Sequence, residues 1–410
     1  MVAYLIIIAI STALVYLSFK VEEKTDNKLL IFVSKAVAIL FPAIIAGIRY
    51  DVGTDYKGVY EPLFEEILSG ETVQRIRTFE IGYILLNRLV IWLGGNFNVL
   101  MFLASLLTII PIYIGLSHYK KKICVPLAFF LFMLLFYQKS FNLVRQMIAV
   151  AFVFLGFTYL DFKNDDKKHI AIQCLKYFAC VIVAGLFQRT SFVMLIIPFI
   201  REIYANPRLK VLSIASYVVL LVVILNFKAI GEFLTQSDSF KYYANYFKGI
   251  GKPDISIAYF IRVIPVIIPF FFVRKKITED RQMNFLYSMT VIGCILLLLG
   301  YLTQTYGERI SYYFSIFQIV MFPYYIRCLK DNKFLYIASI ILIILFNMAM
   351  WFYDYIYMKR DETIPYKTIF SAETEQNDNT KEENTISELK KLDINETESE
   401  EILNTMEYNI

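Results

Sequence analysis

Long apolar stretches alternate with short polar segments along the first 355 residues of the chain. A hydrocarbon core about 30 Å thick is crossed by roughly 20 apolar residues in a helix, and by fewer where neighbouring helices or local thinning help. The pattern predicts an all-α, polytopic integral membrane protein with about 12 transmembrane helices. The predicted spans, of which 190–200 is the shortest, are 2–19, 29–48, 98–117, 123–136, 143–160, 170–187, 190–200, 209–227, 257–273, 283–303, 310–326 and 334–351.

One further apolar segment, 80–93, carries Glu80, Asn87 and Arg88 among its apolar residues. If this segment crossed the membrane, every later loop would change sides and the Lys-rich loops would face outward. We therefore interpret 80–93 as an interfacial or re-entrant helix on the outer side. The alternative is a short true span with an unusual topology.

Lys and Arg are concentrated in alternate connections, which predicts the orientation of the chain. With the N-terminus outside, the inner connections hold 18 Lys or Arg in 46 residues, and the outer ones hold 10 in 72. Inner loops are enriched in these residues in membrane proteins generally. Two outer loops are long, 49–78 and 228–256, whereas every inner connection has fewer than ten residues. The inner face therefore has no room for a nucleotide-binding domain.

Composition excludes a soluble globular protein and divides the chain into two parts. Apolar residues make up 58% and charged residues 19%, and the mean hydropathy is +0.54. Residues 371–410 hold 3 Lys and 12 Asp or Glu. The net charge of +5 is therefore the sum of +14 for residues 1–370 and −9 for residues 371–410. We predict a transmembrane domain over 1–355 and an acidic, disordered tail over 356–410. The modest net charge indicates no nucleic-acid partner.

The Cys and His residues predict no metal site and no cofactor. The five Cys show no paired spacing, and the two His, His118 and His169, lie in Lys-rich inner loops. Neither a phosphate-binding P-loop nor a glycine-rich dinucleotide motif occurs. Any chemistry is therefore expected on the outer face, without a nucleotide.

Five Arg residues fall at the outer ends of predicted spans, and packing of the helices could bring them around one cavity. An Arg at membrane depth costs at least a few kcal/mol, so it needs a partner or a role. Its planar fork suits the oxygens of a phosphate group. The alternative is that each one reaches lipid headgroups or pairs with a nearby carboxylate. These residues are Arg49, Arg145, Arg189, Arg262 and Arg309.

Both long outer loops combine aromatic and polar residues in ways that suit sugars. The first begins with RYDVGTDY at 49–56, which concentrates Asp51, Asp55 and Tyr56 around Gly53. Carboxylates accept hydrogen bonds from hydroxyl groups, but an ordinary turn capped by Asp has the same composition. The second loop contains Tyr242, Tyr243 and Tyr246. They predict either an interfacial helix or a platform for a sugar or lipid.

These segments, in this order, resemble the signature of the EpsG/Wzy-type polysaccharide polymerases. The matching pieces are RYDVGTDY at 49–56 with Tyr60, EIGY at 80–83, NLVRQ at 142–146 with Ile148 and Ala149, FQRTS at 187–191 reaching Pro198, and RISYYF at 309–314. The resemblance covers about residues 1–355 and leaves out the acidic tail. In one departure, Gln188 stands where the family pattern usually has His, so an imidazole base is absent at this position.

The resemblance implies glycosyl transfer between two polyprenyl-diphosphate-linked oligosaccharides at the outer leaflet of a bacterial cytoplasmic (inner) membrane. A growing chain would leave its diphosphate for a hydroxyl group of the incoming repeat unit. Candidate bases are Asp55 or Asp51, followed by Glu80 and Glu308. Candidate substrate-binding residues are Arg49, Tyr56, Arg145, Gln188, Arg189, Arg262, Arg309, Tyr242, Tyr243 and Tyr246. Membrane lipid, a chain-length regulator and the flippase of the same pathway are the further partners expected.

Other classes of membrane protein remain open at this point. A flippase for the lipid-linked oligosaccharide predicts charges along a path to both sides and often two related halves, and the chain shows no clear internal repeat. A ligase-like or acyl-transferring enzyme usually needs a His at its centre, but both His lie in inner loops. A membrane scaffold without chemistry is the remaining alternative.

Overall fold

The computed structural model describes residues 1–70, 76, 78–162, 166–234, 257–303 and 305–371, and these residues are almost entirely helical. A single isolated bridge, between Arg49 and Thr368, is the β-type pairing found within them. The α-helices in chain order are α1 Val2–Lys24, α2 Lys28–Gly47, α3 Glu61–Ser69, α4 Ile81–Trp92, α5 Phe97–His118, α6 Val125–Phe132, α7 Lys139–Asn142, α8 Val144–Phe157, α9 Lys167–Phe187, α10 Ile197–Ala205, α11 Lys210–Leu225, α12 Phe227–Leu234, α13 Ile257–Glu279, α14 Arg281–Thr303, α15 Thr305–Ser315, α16 Gln318–Cys328 and α17 Lys333–Phe352.

Eight helical stretches are long and apolar enough to cross a membrane, as judged by length and composition. The chain is therefore an all-helical, multi-pass membrane protein. The four other predicted spans are shorter or interrupted, so the count of twelve stays a prediction. The eight stretches are Val2–Lys24, Lys28–Gly47, Phe97–His118, Lys167–Phe187, Pro207–Leu225, Ile257–Glu279, Arg281–Leu302 and Lys333–Tyr357.

Those four segments do not form regular long helices in the structure. Segment 123–136 begins a helix that turns π-helical at Met133–Tyr137, and α8 has only 14 residues. Segment 190–200 starts as the 3-10 helix Arg189–Ile196 before Pro198 enters the first turn of α10. Segment 310–326 is interrupted between α15 and α16. Such interruptions are tolerated in a membrane protein where neighbouring helices cover the backbone.

Polar contacts between helix termini gather at two ends of the bundle, as the alternation of loops predicts. We call the end that holds Arg49 the site end and the other the opposite end. Contacts at the site end include Arg145 with Glu80, Asn142 with Asp361, and Arg262 with Asp354. Those at the opposite end include Lys120 with Glu22, Lys122 with Asp280, and Arg281 with Glu202.

Helix α4 begins and ends at the site end, and the interfacial or re-entrant position of 80–93 stays a prediction. Its 12 residues extend about 18 Å, too short for a bilayer core. Glu80, its N-cap, contacts Arg145. Beyond the end of α4, Asn98 at the start of α5 donates from Nδ2 to the carbonyls of Gly47 and Arg49, at 2.8 and 3.2 Å.

Residues 358–371, which we call the C-terminal strap, cross the site end after the last long helix. The strap is joined to the first outer loop by backbone hydrogen bonds, from Tyr50 N to Lys367 O at 3.0 Å and from Thr54 N to Asp361 O at 3.1 Å. Composition assigns this stretch to the acidic tail, but in the structure it packs on the helical body. The remainder of the predicted tail, 372–410, lies outside the described residues.

Candidate functional site

A cavity of about 530 Å³ opens at the site end of the bundle. Its walls come from the first outer loop, α7, the α14–α15 hairpin and the C-terminal strap, which are distant from one another in the chain. Carboxylates, cations and hydroxyl groups share the surface with a few apolar side chains. The lining residues are Thr54, Asp55, Lys139, Asn142, Leu143, Leu297, Gly300, Tyr301, Glu308, Arg309, Tyr312, Arg360 and Asp361.

Asn142 connects three of these walls through one amide group. Its Oδ1 accepts hydrogen bonds from Thr54 Oγ1 at 2.9 Å and from the backbone N–H of Asp55 at 2.8 Å. Its Nδ2 donates to Asp361 Oδ1 at 2.9 Å. The turn before Asp55 needs a glycine at position 53, because a residue with a side chain would be strained at the backbone φ of +98° found there. Asn142 therefore fixes the loop that presents the Asp55 carboxylate to the cavity.

Asp55 is half-buried, and its carboxylate has no hydrogen bond or ion pair with the residues that the structure describes. Burial raises its pKa above the ordinary value of 3.8, and Asp361 adds to the increase. The nearby charges of Arg309 and Arg145 act in the other direction without cancelling it. A carboxylate of raised pKa that faces a cavity is suited to accept a proton.

Glu308 has a different environment on the facing wall. Arg360 Nη1 lies 3.2 and 3.4 Å from its two carboxylate oxygens. Burial raises the pKa of Glu308, but Lys139, Arg360 and Arg262 outweigh it, so the pKa lies below the ordinary value. Glu308 thus stays ionised and holds Arg360 in place, which makes it a weaker candidate for a base than Asp55.

The α14–α15 hairpin brings Glu308 to the cavity because Gly300 lets the two helices approach closely. A Cβ atom added at Gly300 would lie 2.8 Å from the Cβ of Glu308 and 3.0 Å from its backbone nitrogen. Real Cβ atoms essentially never come this near to another heavy atom. The absence of a side chain at Gly300 therefore permits the short distance between α14 and α15 at this wall.

The structure places one of the five predicted Arg, Arg309, on the cavity wall, and it gives the others different surroundings. Arg49 is only 2% exposed; it donates to the carbonyls of Ala46 at 2.9 Å and Phe141 at 3.3 Å. Its side chain therefore supports the fold beneath the loop.

Three other predicted Arg lie near the cavity but outside its lining. Arg145 is paired with Glu80, and its guanidinium stacks over the Phe79 ring at 4.3 Å. Arg189 is exposed, and its backbone N–H lies 3.4 Å from Glu80 Oε1. Arg262 forms a two-pronged ion pair with Asp354. The pairs of Arg145 and Arg262 match the alternative that an Arg near the membrane pairs with a carboxylate.

The remaining predicted residues are not part of the cavity lining. Tyr56 is buried and donates its hydroxyl to the carbonyl of Arg49 at 3.2 Å. Asp51 lies on the surface, 3.0 Å from Lys57. Gln188 caps the end of α9, and its half-buried side chain lies outside the cavity. Outside the described residues lie Tyr242, Tyr243 and Tyr246.

Sequence reasoning missed several of the residues that line the cavity. Asn142 stands in one of the family-like segments, and Lys139 is the single Lys or Arg in the predicted outer loop 137–142, so both carried a signal. Arg360 and Asp361 carried none, because the shift to acidic composition placed them in the tail. Both adopt their cavity positions only because the strap folds back onto the first loop.

Comparison with known proteins identifies a family and no individual relative. The description of the matching family is "EpsG family", and the match extends over residues 32–368. Neither the curated proteins nor the solved structures yield a match. The matched range includes every lining residue of the cavity, from Thr54 to Asp361. The family is associated with polysaccharide polymerisation. The chain belongs to the EpsG family.

Proposed function

We propose that the chain is a polysaccharide polymerase that joins polyprenyl-diphosphate-linked oligosaccharide units in the cavity at the site end. The observation that carries this proposal is an Asp55 carboxylate of raised pKa on a polar wall that also holds Arg309. A sugar hydroxyl needs a proton acceptor, and a departing diphosphate needs positive charge nearby. The cavity offers both groups in one space.

The proposed reaction makes one glycosidic bond and breaks one sugar–phosphate bond. An acceptor hydroxyl of the incoming unit attacks the anomeric carbon of the growing chain and loses its proton to Asp55. The bond from that carbon to the diphosphate oxygen breaks, and the diphosphate leaves with the electron pair. Arg309 stabilises the negative charge that develops on it. The products are a chain longer by one repeat unit on the acceptor lipid and a free polyprenyl diphosphate.

Partly buried ion pairs around the cavity hold its walls together. Arg262 with Asp354, Arg360 with Glu308 and Arg145 with Glu80 each join elements from different parts of the chain. Preorganised charges stabilise a transition state without reorganisation during the reaction. We therefore assign these pairs a positioning role, and Asp55 and Arg309 the direct contacts with substrate.

The volume of the cavity suits a sugar more than a whole oligosaccharide. About 530 Å³ falls at the lower part of the range for small-molecule sites, roughly 300–1,000 Å³. The reacting ends of two glycans fit better than complete repeat units. The remainder of each glycan would extend from the mouth, on the side that we expect to face away from the cytoplasm.

The experiment compares lipid-linked glycans in cells with and without the protein. The proposal predicts that its loss leaves single repeat units on the lipid at the outer leaflet and no long chains. Disappearance of the units from the outer leaflet would indicate a flippase instead. Unchanged chain lengths would contradict both functions.

A further inference from the structure

Lys139 stands where the polar cavity meets a smaller cavity deeper in the bundle. Lys139 is the first residue of α7, and one residue separates it from the π-helical turn Met133–Tyr137. Lys139, Leu297, Glu308 and Tyr312 line both cavities, so the two spaces share this wall. The ammonium group lies 5.5 Å from the centre of the Tyr312 ring.

Lys139 differs in its ion pairing from the two guanidinium groups near it. Arg262 pairs with Asp354, and Arg360 pairs with Glu308 and also lies 3.5 Å from Asp354. Each of these guanidinium groups thus has a direct carboxylate partner. Within the described part of the chain, no carboxylate oxygen lies at ion-pair distance from the half-buried ammonium of Lys139. Its charge acts on the nearby Glu308 carboxylate, whose pKa it lowers, and the ammonium carries donors that phosphate oxygens can accept.

The two cavities on either side of Lys139 differ in size and in the number of large apolar side chains on their walls. The upper one, of about 530 Å³, is the polar site described above. The lower one has about 80 Å³, which is room for a few carbon atoms. Its wall combines apolar side chains with polar and charged ones, and the large apolar ones include Leu135, Phe136, Phe322, Phe346 and Met350. A molecule that joins a sugar to a hydrocarbon chain through an anionic group matches this order of surroundings.

We propose that Lys139 binds the lipid-attached phosphate of the donor diphosphate, with the first carbons of the prenyl chain in the lower cavity. The assignment rests on the proposed function for its substrate, and it specifies which part of the site holds the donor and which part holds the acceptor. The donor lipid enters past Lys139, and the acceptor hydroxyl lies at Asp55. A Lys ammonium binds phosphate as a compact point charge, which suits a position with room for one group and not for a planar fork.

The direct test measures binding of two probes to the purified full-length chain in discs of zwitterionic lipid. The probes are polyprenyl diphosphate, without sugar, and the neutral polyprenol. The variants are Lys139→Met, Lys139→Arg and the matched control Lys57→Met, because Lys57 lies at the same end, exposed and paired with Asp51. Thermal unfolding confirms that each variant is folded.

Loss of one charge-assisted phosphate contact should weaken diphosphate binding by Lys139→Met about tenfold to hundredfold. Binding of polyprenol should be unchanged. Lys139→Arg, which keeps the charge, should bind the diphosphate within several-fold of the unsubstituted chain. Lys57→Met should bind it as tightly as the unsubstituted chain does. Equal diphosphate binding by folded Lys139→Met would overturn the assignment, as would an unsubstituted chain that binds polyprenol as tightly as the diphosphate.

A second measurement needs no variant. Polyprenyl diphosphate at saturation should protect Lys139 of the unsubstituted chain from an amine-acylating reagent, whereas Lys57 stays reactive. An unprotected Lys139 at saturation would overturn the assignment even if Lys139→Met failed to fold. A chain that binds the diphosphate through Lys139 but makes no polymer would contradict the proposed function and leave this assignment standing.

Discussion

Charged side chains meet at both ends of the helix bundle, but their surroundings differ. At the opposite end, Lys120 with Glu22 and Arg281 with Glu202 form pairs whose side chains are about one-quarter to one-half exposed. At the site end, Arg262 and Asp354 are 17% and 8% exposed, and Asp55 faces a cavity without a cation bonded to it. Exposed pairs contribute little to stability, whereas buried ones are strongly coupled to the fold. Charge near the membrane therefore indicates a site only where burial and an open space coincide.

The largest expected difference between the ends concerns Asp55. Asp55→Asn removes the proton acceptor, so polymer formation should fall by about hundredfold or more. Asp280→Asn at the opposite end removes the carboxylate partner of Lys122 and should change polymer formation by less than about twofold. The measurement is the rate of chain elongation with lipid-linked repeat units. Equal losses in the two variants would remove Asp55 from the chemistry.

The stability of Asp55→Asn separates a functional role from a structural one. Because the folded-state pKa of Asp55 is raised, its ionised form costs folding free energy at pH above that pKa, and the cost disappears as pH falls through it. At neutral pH the Asn variant should therefore unfold at the same temperature or higher. A clearly lower unfolding temperature would mean that the carboxylate supports the fold.

A matched pair of Arg substitutions tests the difference in burial. Arg262→Met removes the two-pronged partner of Asp354, leaves the more distant Arg360, and should cost about 2–4 kcal/mol of unfolding free energy. Arg281→Met at the opposite end, where the pair is more exposed, should cost about 1 kcal/mol or less. Denaturant titration in detergent gives both values. Similar losses would mean that the two ends do not differ in this way.

The width of the cavity wall is tested by two Gly substitutions. Gly300→Ala brings a methyl group against Glu308, so we expect a loss of about 1–3 kcal/mol and slower polymerisation. Gly58→Ala is the control, because nothing lies within 4 Å of the added atom. Normal elongation by Gly300→Ala would show that the hairpin spacing does not control the site.

The smallest expected effect is a shift in the pH profile. Asp55 must be ionised to accept a proton, so elongation should fall as pH drops through its pKa, with the midpoint above 3.8. Arg309→Gln removes a charge that lowers this pKa, and the midpoint should move further upward. A midpoint that does not move would separate Arg309 from Asp55.

Hydropathy predicted the long helices because burial in lipid depends on composition alone and not on tertiary packing. Stretches such as Phe97–His118 and Lys333–Tyr357 follow directly from this rule. The interruption between α15 and α16 and the 3-10 turn at Arg189–Ile196 depend on contacts with neighbouring helices. Local sequence alone does not specify such contacts.

The candidate site was less accessible to sequence reasoning for a related reason. Arg49 follows the end of α2 and Arg309 lies in the second turn of α15, yet the first lies under the loop, bonded to carbonyls, and the second lines the cavity. Position along the chain places an Arg at one end of the bundle but does not show which way its side chain faces. Arg360 and Asp361 depend on the strap folding back by hydrogen bonds to residues more than 300 positions earlier.

The most direct test reconstitutes the purified chain in liposomes with synthetic lipid-linked repeat units and no nucleotide. We predict glycans of two or more units, with one polyprenyl diphosphate released for each new glycosidic bond, and about hundredfold less of both products with Asp55→Asn. Units that cross the bilayer without being joined, or elongation that proceeds equally in the Asn variant, would contradict the account.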